Sequence, residues 1–286
     1  MTGPPTFLLG AGCQKGGTTW LYRYLKQSPQ FAAGYRKEYH VFDTRDVPGQ
    51  TYMRNRIFDL AEEALANARR GEPADPEVLH RMSMYADPRF YFDYFAGLLA
   101  LNPATVLTAD MTPENALLSA DRLRGIRSGF ERRGIRTASL FVMRDPVDRV
   151  LSQIRMQHHR NPEKFSESVE ASLFRLHSEE SYDSRTRYDA IVGRLDSAFD
   201  EADIAYAFYE ELFQPDQLRR ICRTLGIDYH EPDLGRRANA SPQTPDELSD
   251  DTARRVAEHY GDVYRFVQER FAVDLTALWP FSRFVL

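Results

Sequence analysis

The sequence predicts an α/β fold: a P-loop-like central parallel sheet flanked by helices, in one domain with a helical insertion at roughly 50–100. Three observations predict it. A short apolar run opens the chain and leads through a glycine-rich loop into a helix. A second apolar run, residues 137–143, ends at Arg144-Asp145-Pro146 and passes into an amphipathic helix. Strand and helix patterns then alternate along the chain, which is the signature of a mostly parallel sheet.

Each element has a local reason. Phe7-Leu8-Leu9-Gly10-Ala11 has strand length and a glycine exit, as a buried parallel strand does. Gly12-Cys13-Gln14-Lys15-Gly16-Gly17-Thr18-Thr19 follows as a loop. Leu21, Tyr24 and Leu25 then fall at helical spacing, and Ser28-Pro29 stops that helix. Residues 54–101 read as mostly helical in two stretches. The first carries the stripe Ile57, Leu60, Ala61, Ala64 and Leu65, and is broken at residues 69–73. The second carries Tyr91, Phe92, Tyr94, Phe95, Leu98 and Leu99 and ends at Asn102-Pro103. Residues 105–109 are a strand running into Asp110-Met111-Thr112-Pro113. Residues 137–143 are the clearest central strand; Asp145 suits a helix N-cap and Pro146 the first helical position. Val147, Val150, Leu151 and Ile154 mark the apolar face of the helix that follows. Residues 204–209 are a late strand, 216–225 a helix and 235–247 a polar loop. Val256, Tyr260, Val263, Val267 and Phe271 predict one long final helix.

Composition narrows the function. Hydrophobic residues are 42% and charged residues 28%, an ordinary globular balance. Thirty-seven basic against 42 acidic residues give a net charge of −5, which speaks against a chain-wide nucleic-acid footprint. Two cysteines make neither a disulfide framework nor a four-thiolate zinc site. No stretch approaches the roughly 20 apolar residues of a membrane span. The N-terminus lacks the basic region of a signal peptide, so a cytoplasmic protein is the expectation.

The loop from Gly10 to Thr19 has the features of an anion cradle. Glycines let backbone wrap a ligand, and the helix start offers free N–H groups and a positive dipole end. Lys15 adds a charge, and Thr18 and Thr19 add hydroxyls. A Walker A loop reads GxxxxGK[ST]. Here the lysine precedes the two glycines and no hydroxyl directly follows it, so the magnesium-ligand position is lost. At the other strand end, Arg144 offers a guanidinium fork and Ser152, about two helical turns on, a hydroxyl. Two separate anion sites fit a ligand with two phosphate-like ends.

Lys15-Gly16-Gly17-Thr18-Thr19-Trp20-Leu21 resembles the 5′-phosphosulfate loop of sulfotransferases that use 3′-phosphoadenosine 5′-phosphosulfate (PAPS). Arg144-Asp145-Pro146-Val147-Asp148-Arg149 with Ser152 resembles that family's 3′-phosphate motif. Lys37-Glu38-Tyr39-His40-Val41-Phe42 is similar to the KExHFF segment of the heparan sulfate and bacterial carbohydrate-type branch. Asp110-Met111-Thr112-Pro113-Glu114 resembles its E-x-[ST]-P strand end, with Asp in place of Glu. Residues 184–195 and Trp279 resemble later features of that branch.

The resemblance implies transfer of a sulfuryl group from PAPS, without a metal, to an acceptor hydroxyl or amine of a carbohydrate or small metabolite. It implies that Lys15 stabilises the leaving oxygens. Gly16, Gly17, Thr18 and Thr19 would hold the 5′-phosphate, and Arg144 and Ser152 the 3′-phosphate. Trp20 would lie near the adenine, and Arg237 would close over the nucleotide. Glu38 is the candidate general base and His40 its alternative, two positions along a strand and on the same face. Lys37 is placed to help with the sulfuryl oxygens. His158-His159 is a poor zinc pair, because adjacent residues do not share a helix face, and Cys13 reads as a packing residue. The rivals are an ATP-dependent kinase of the P-loop type and a non-catalytic relative that binds a nucleotide or glycan.

Overall fold

A computed structural model describes residues 4–233 and 248–286. Its centre is one parallel sheet of five strands: β1 (Thr6–Gly10), β2 (Phe31–Ala32), β3 (Leu107–Asp110), β4 (Arg136–Met143) and β5 (Ile204–Phe208). They lie in the order β2-β3-β1-β4-β5. Leu8 of β1 pairs with Ala109 on one side and Ala138 on the other, and Met143 of β4 pairs with Phe208. Every residue of β1 and β3, and all of β4 after Arg136, is buried. That is why these segments read as continuous apolar runs: both faces of the sheet are covered.

Fourteen α-helices are described. Helix α1 (Thr18–Leu25) follows the β1 loop, and α2 (Asp43–Asp46) is a single turn after β2. Helices α3 (Thr51–Arg69), α4 (Pro76–Ala86) and α5 (Arg89–Ala100) fill the stretch between β2 and β3, and α6 (Ala120–Glu131) leads to β4. Beyond β4 come α7 (Pro146–Arg160), α8 (Val169–Leu176), α9 (Glu180–Asp183) and α10 (Tyr188–Ala198). After β5 come α11 (Pro215–Leu225), α12 (Asp250–His259), α13 (Gly261–Phe271) and α14 (Leu275–Leu278). None of the described helices is long and apolar enough to cross a membrane.

Alternation along β1 divides the core. Phe7 and Leu9 face α5, α6, α7 and the C-terminal helices, and Phe7 stacks on Phe130 with centroids 3.9 Å apart. Leu8 faces α1 and α11, with Leu21, Leu25, Leu218 and Ile221.

The elements differ from the sequence reading in three places. The insertion forms three helices, because Asp75 caps α4 through the Glu77 N–H at 2.9 Å and Pro76 starts it. The final helix is two, parted at Tyr260-Gly261. Both halves bury the same kind of face, so periodicity alone runs straight through the break. Strand β2 is two residues long, too short to leave a pattern.

The chain crosses from β3 over β1 to reach β4. The C-terminal ends of β1 and β4 therefore lie side by side at the point where the connections reverse, the place where open α/β sheets form their ligand crevice.

Candidate active site

The loop after β1 prolongs the sheet before it turns. The N–H of Ala11 donates to Leu140 O at 2.8 Å and that of Cys13 to Val142 O at 2.9 Å. This close approach explains Gly16: a Cβ there would stand 2.9 Å from Val142 O and 2.9 Å from Cys13 Sγ. Gly17 sits at φ 82° as the N-cap of α1 and supplies no side-chain cap. The first N–H groups of α1 thus open into the crevice with the positive end of the helix dipole.

Lys37 Nζ reaches across this opening. It donates to Thr18 Oγ1 and Thr19 Oγ1, both at 3.1 Å, and to Glu38 Oε1 at 2.8 Å. An ammonium only donates, so both threonine hydroxyls accept from it and keep their own protons for an anion. Burial pulls the Lys15 ammonium below its ordinary range, and the charges of Arg144 and Arg160 add to that. Four cationic side chains therefore gather about one loop.

Arg144 leaves β4 on the same side. Its Nη1 donates to Lys15 O at 3.2 Å, its guanidinium lies 4.5 Å from the Tyr209 ring centre, and its buried Nε has no partner among the described residues. Tyr188 holds the turn by donating its hydroxyl to Arg144 O at 2.8 Å. Ser152 is buried on α7, and Asp145 caps that helix through the Val147 N–H at 3.0 Å. Arg144 is thus brought to the loop that carries Lys15, Gly16, Gly17, Thr18 and Thr19. Trp20 packs beneath the loop, T-shaped to Phe213 at 4.8 Å and 7% exposed. Arg237 lies outside the described residues.

Glu38 and His40 meet, but not on a strand. Residues 37–42 form a loop, held across the end of β3 by Thr112. Thr112 Oγ1 accepts from the N–H groups of Tyr39 at 2.9 Å and His40 at 3.3 Å, and the Met111 N–H donates to Lys37 O at 2.8 Å. Asp110 is buried beneath and accepts from Thr112 Oγ1 at 2.6 Å and the Tyr91 hydroxyl at 2.9 Å. The Asp110–Glu114 motif is therefore the clamp of the Glu38 loop. His40 takes φ 52°, a left-handed conformation that turns its ring back between three carboxylates. Nδ1 lies 2.8 Å from Asp43 Oδ2 and 3.9 Å from Glu114 Oε2, and Nε2 lies 3.6 Å from Glu38 Oε2.

These contacts set the protons. Burial alone would lower the His40 pKa, but the hydrogen bonds with Asp43 and Glu38 outweigh it and raise it to about 10. Burial would raise Glu38, but the His40 hydrogen bond and the charge of Lys37 pull it down to about 2. At neutral pH the imidazole is charged and has no lone pair to offer; the carboxylate is ionised and has.

The donor atoms of His40, Asp43 and Glu114 lie within 4.8 Å of one another, a spacing at which a cation can be held. The imidazole–carboxylate hydrogen bond already accounts for the His40–Asp43 contact, and a metal would have to displace its proton. His158 is engaged elsewhere, with Nε2 2.9 Å from Ser172 Oγ and its ring stacked on Phe165. Cys13 is buried, its thiol pushed up by burial, as a packing residue should be. The sequence reading missed Asp43, which follows His40 by three residues, and gave Arg160 no role at the loop.

No protein-family model matches the chain, and no curated protein does. Among solved structures, the crystal structure of a sulfotransferase from Alicyclobacillus acidocaldarius superposes with a TM-score of 0.61. The match covers 97% of this chain and 99% of that one, at 21% sequence identity. The two chains share a fold. The likeness extends over the whole α/β architecture, insertion included, while the roles of individual residues rest on the geometry above.

Proposed function

We propose that this chain is a sulfotransferase that moves a sulfuryl group in line from PAPS to an acceptor hydroxyl or amine, with Glu38 as general base. The observation that carries the reading is the position of Lys37 Nζ, within 3.1 Å of both loop threonines and 2.8 Å from the Glu38 carboxylate. One ammonium joins the two loop hydroxyls to a carboxylate that also lies 3.6 Å from the His40 imidazole.

The residues fit such a nucleotide. A helix start without a side-chain cap, an Arg144 Nε with no partner among the described residues and four clustered cations all ask for anions. PAPS, when bound, supplies an activated sulfuryl group on its 5′-phosphate. Lys15, Thr18, Thr19 and the backbone of Gly16 and Gly17 would hold the 5′ end, and Arg144 with Ser152 the 3′-phosphate. Lys15 and Lys37 stabilise negative charge that grows on oxygens at the loop. Glu38 takes the acceptor proton. Charged His40 holds Glu38 in place and, with Lys37, keeps it ionised. The acceptor is a carbohydrate or small metabolite, and the chemistry asks the protein for positioning and charge stabilisation.

The test is a thermal shift with adenosine 3′,5′-bisphosphate (PAP) beside ATP with magnesium. At about 100 times its dissociation constant a ligand adds ~2.7 kcal/mol, or about 5–10 °C for a chain of this size. A rise with PAP and little with ATP is the expected result. A rise with ATP alone transfers the site to a kinase, and no rise with either ends the nucleotide reading.

A further inference from the structure

A second cationic group lies beside the Glu38 loop and takes no part in the roles assigned above. Arg81 belongs to the buried face of α4, with Val78, Met84 and Tyr85, and is 6% exposed. Its Nε and Nη2 are buried and have no hydrogen-bond partner among the described residues. The residues around it tie it to the loop. Tyr85, one turn on, donates its hydroxyl to His40 O at 2.8 Å, and His80 Nδ1 lies 3.2 Å from the Tyr35 hydroxyl. The groups that act on it most strongly are Tyr85, Arg36, Tyr35 and Asp110. Among the described residues none forms an ion pair with it. Arg36 carries the same sign and pairs outward with Asp75 at 3.8 Å and Glu77 at 3.5 Å. Asp110 is engaged by other donors: Oδ1 accepts from Thr112 N–H, Thr112 Oγ1 and Tyr39 N–H, and Oδ2 from the Tyr91 hydroxyl. Burial pushes the guanidinium below its ordinary range, and Arg36 adds to the push.

A desolvated cation with unused donors destabilises a fold unless something completes it. A guanidinium fork is completed best by a planar or tetrahedral oxyanion. We propose that Arg81 receives an anionic group of the acceptor, a carboxylate, sulfate or phosphate, and so sets the neighbouring hydroxyl or amine against Glu38. The substrate class is an anionic acceptor, and the inference rests on the sulfotransferase reading.

The test uses the whole chain loaded with PAPS, which fills the anion sites of the loop and of Arg144. Sodium sulfate is titrated into wild type, Arg81→Met and Arg81→Gln, against sodium chloride at equal ionic strength, and melting is followed. Wild type is expected to gain a saturable rise of several degrees. The half-saturating sulfate concentration is expected to climb about tenfold or more in both variants. Without sulfate, Arg81→Met is expected to melt at or above wild type, because an unpaired buried charge has gone. Equal sulfate responses in wild type and variants overturn the proposal, as does an absent response in wild type. Melting of both variants below wild type also overturns it, since Arg81 is then a structural cation. Failure of the cofactor reading shows separately, as no rise with PAPS alone. The difference between wild type and variant still isolates Arg81 in that case.

Discussion

Replacing His40 with Asn asks which side chain in the Glu38–His40 pair can act as a base. The structure places the imidazole 2.8 Å from Asp43 and 3.6 Å from Glu38, and these partners raise its pKa from 6.5 to about 10. The folded chain therefore binds a proton at His40 that the unfolded chain releases near pH 6.5. The stabilisation is complete below pH 6.5 and is lost as pH rises through about 10. At about 1.4 kcal/mol per pH unit, the full contribution is roughly 5 kcal/mol, and the part lost between pH 7 and pH 9 is about 2.5 kcal/mol. The assay is urea unfolding of wild type and His40→Asn at closely spaced pH values across that window. Wild-type stability should fall more steeply than that of the variant by about 2.5 kcal/mol over the two pH units. Proton NMR of the imidazole gives a direct check, with the His40 signal assigned by its loss in the variant. Parallel slopes, or a His40 titration near 6.5, would refute the reasoning. A neutral imidazole beside Glu38 would then take the acceptor proton as well as a carboxylate does, and the assignment of Glu38 would fall.

Three further outcomes follow from the geometry. Arg144→Ala removes a fork whose charge-assisted hydrogen bonds contribute ~1.5–3 kcal/mol. Calorimetry should show PAP binding weakened roughly 10- to 100-fold while adenosine 5′-phosphosulfate, which lacks the 3′-phosphate, changes little; equal losses would remove Arg144 from the 3′ site. Gly17→Ala puts a side chain at φ 82°, with its Cβ 2.8 Å from Leu212 Cδ2. It should destabilise the fold by about 1–2 kcal/mol from backbone conformation alone, visible as a lower urea midpoint, and it should weaken PAP binding. Burial raises the pKa of Glu210 from 4.5 to about 7. A raised carboxyl pKa contributes stability that is present below pH 4.5 and lost as pH climbs through 7, so Glu210→Gln should flatten the wild-type decline over that window by up to about 3 kcal/mol. A variant with the wild-type slope would show that Glu210 is ionised throughout.

The two anion motifs were legible because their reasons are local. Glycines between a strand and a helix, and Arg-Asp-Pro at a strand end, each fit one backbone geometry. Their meeting was not local. It depends on the parallel register that sets Gly10 beside Leu140 and so carries Arg144 to within 3.2 Å of Lys15 O. The segment from Lys37 to Phe42 was marked by resemblance, yet its conformation was misread as a strand. What bends it is Thr112, more than 70 residues away, and that pairing leaves no periodicity behind. Arg81 was invisible for a related reason. A lone arginine between Val78 and Tyr85 carries no local sign of burial, yet it lies on the buried face of α4.

The choice between Glu38 and His40 shows where sequence stops. Both are side chains that can accept a proton, and an imidazole's ordinary pKa near 6.5 makes it the better general base on paper. Asp43 and Glu38, with Glu114 adding to them, reverse that order. Asp43 and Glu114 are 71 residues apart in the chain, and the three carboxylates surround His40 with negative charge while Lys37 and His40 surround Glu38 with positive charge. The His40–Glu38 contact works on both partners: it helps to raise the imidazole and, with Lys37, weakens the carboxylate, since a base held near pKa 2 has little pull on a proton. Glu38 gains strength only if one of its cations turns away. Lys37 is the one with somewhere to go, because its ammonium already touches both loop hydroxyls, where the anionic end of a nucleotide would compete with Glu38 for it. On the proposed reading, charge arriving at the loop would raise the basicity of the carboxylate proposed as base, and base strength and occupancy of the loop would be coupled through a single side chain.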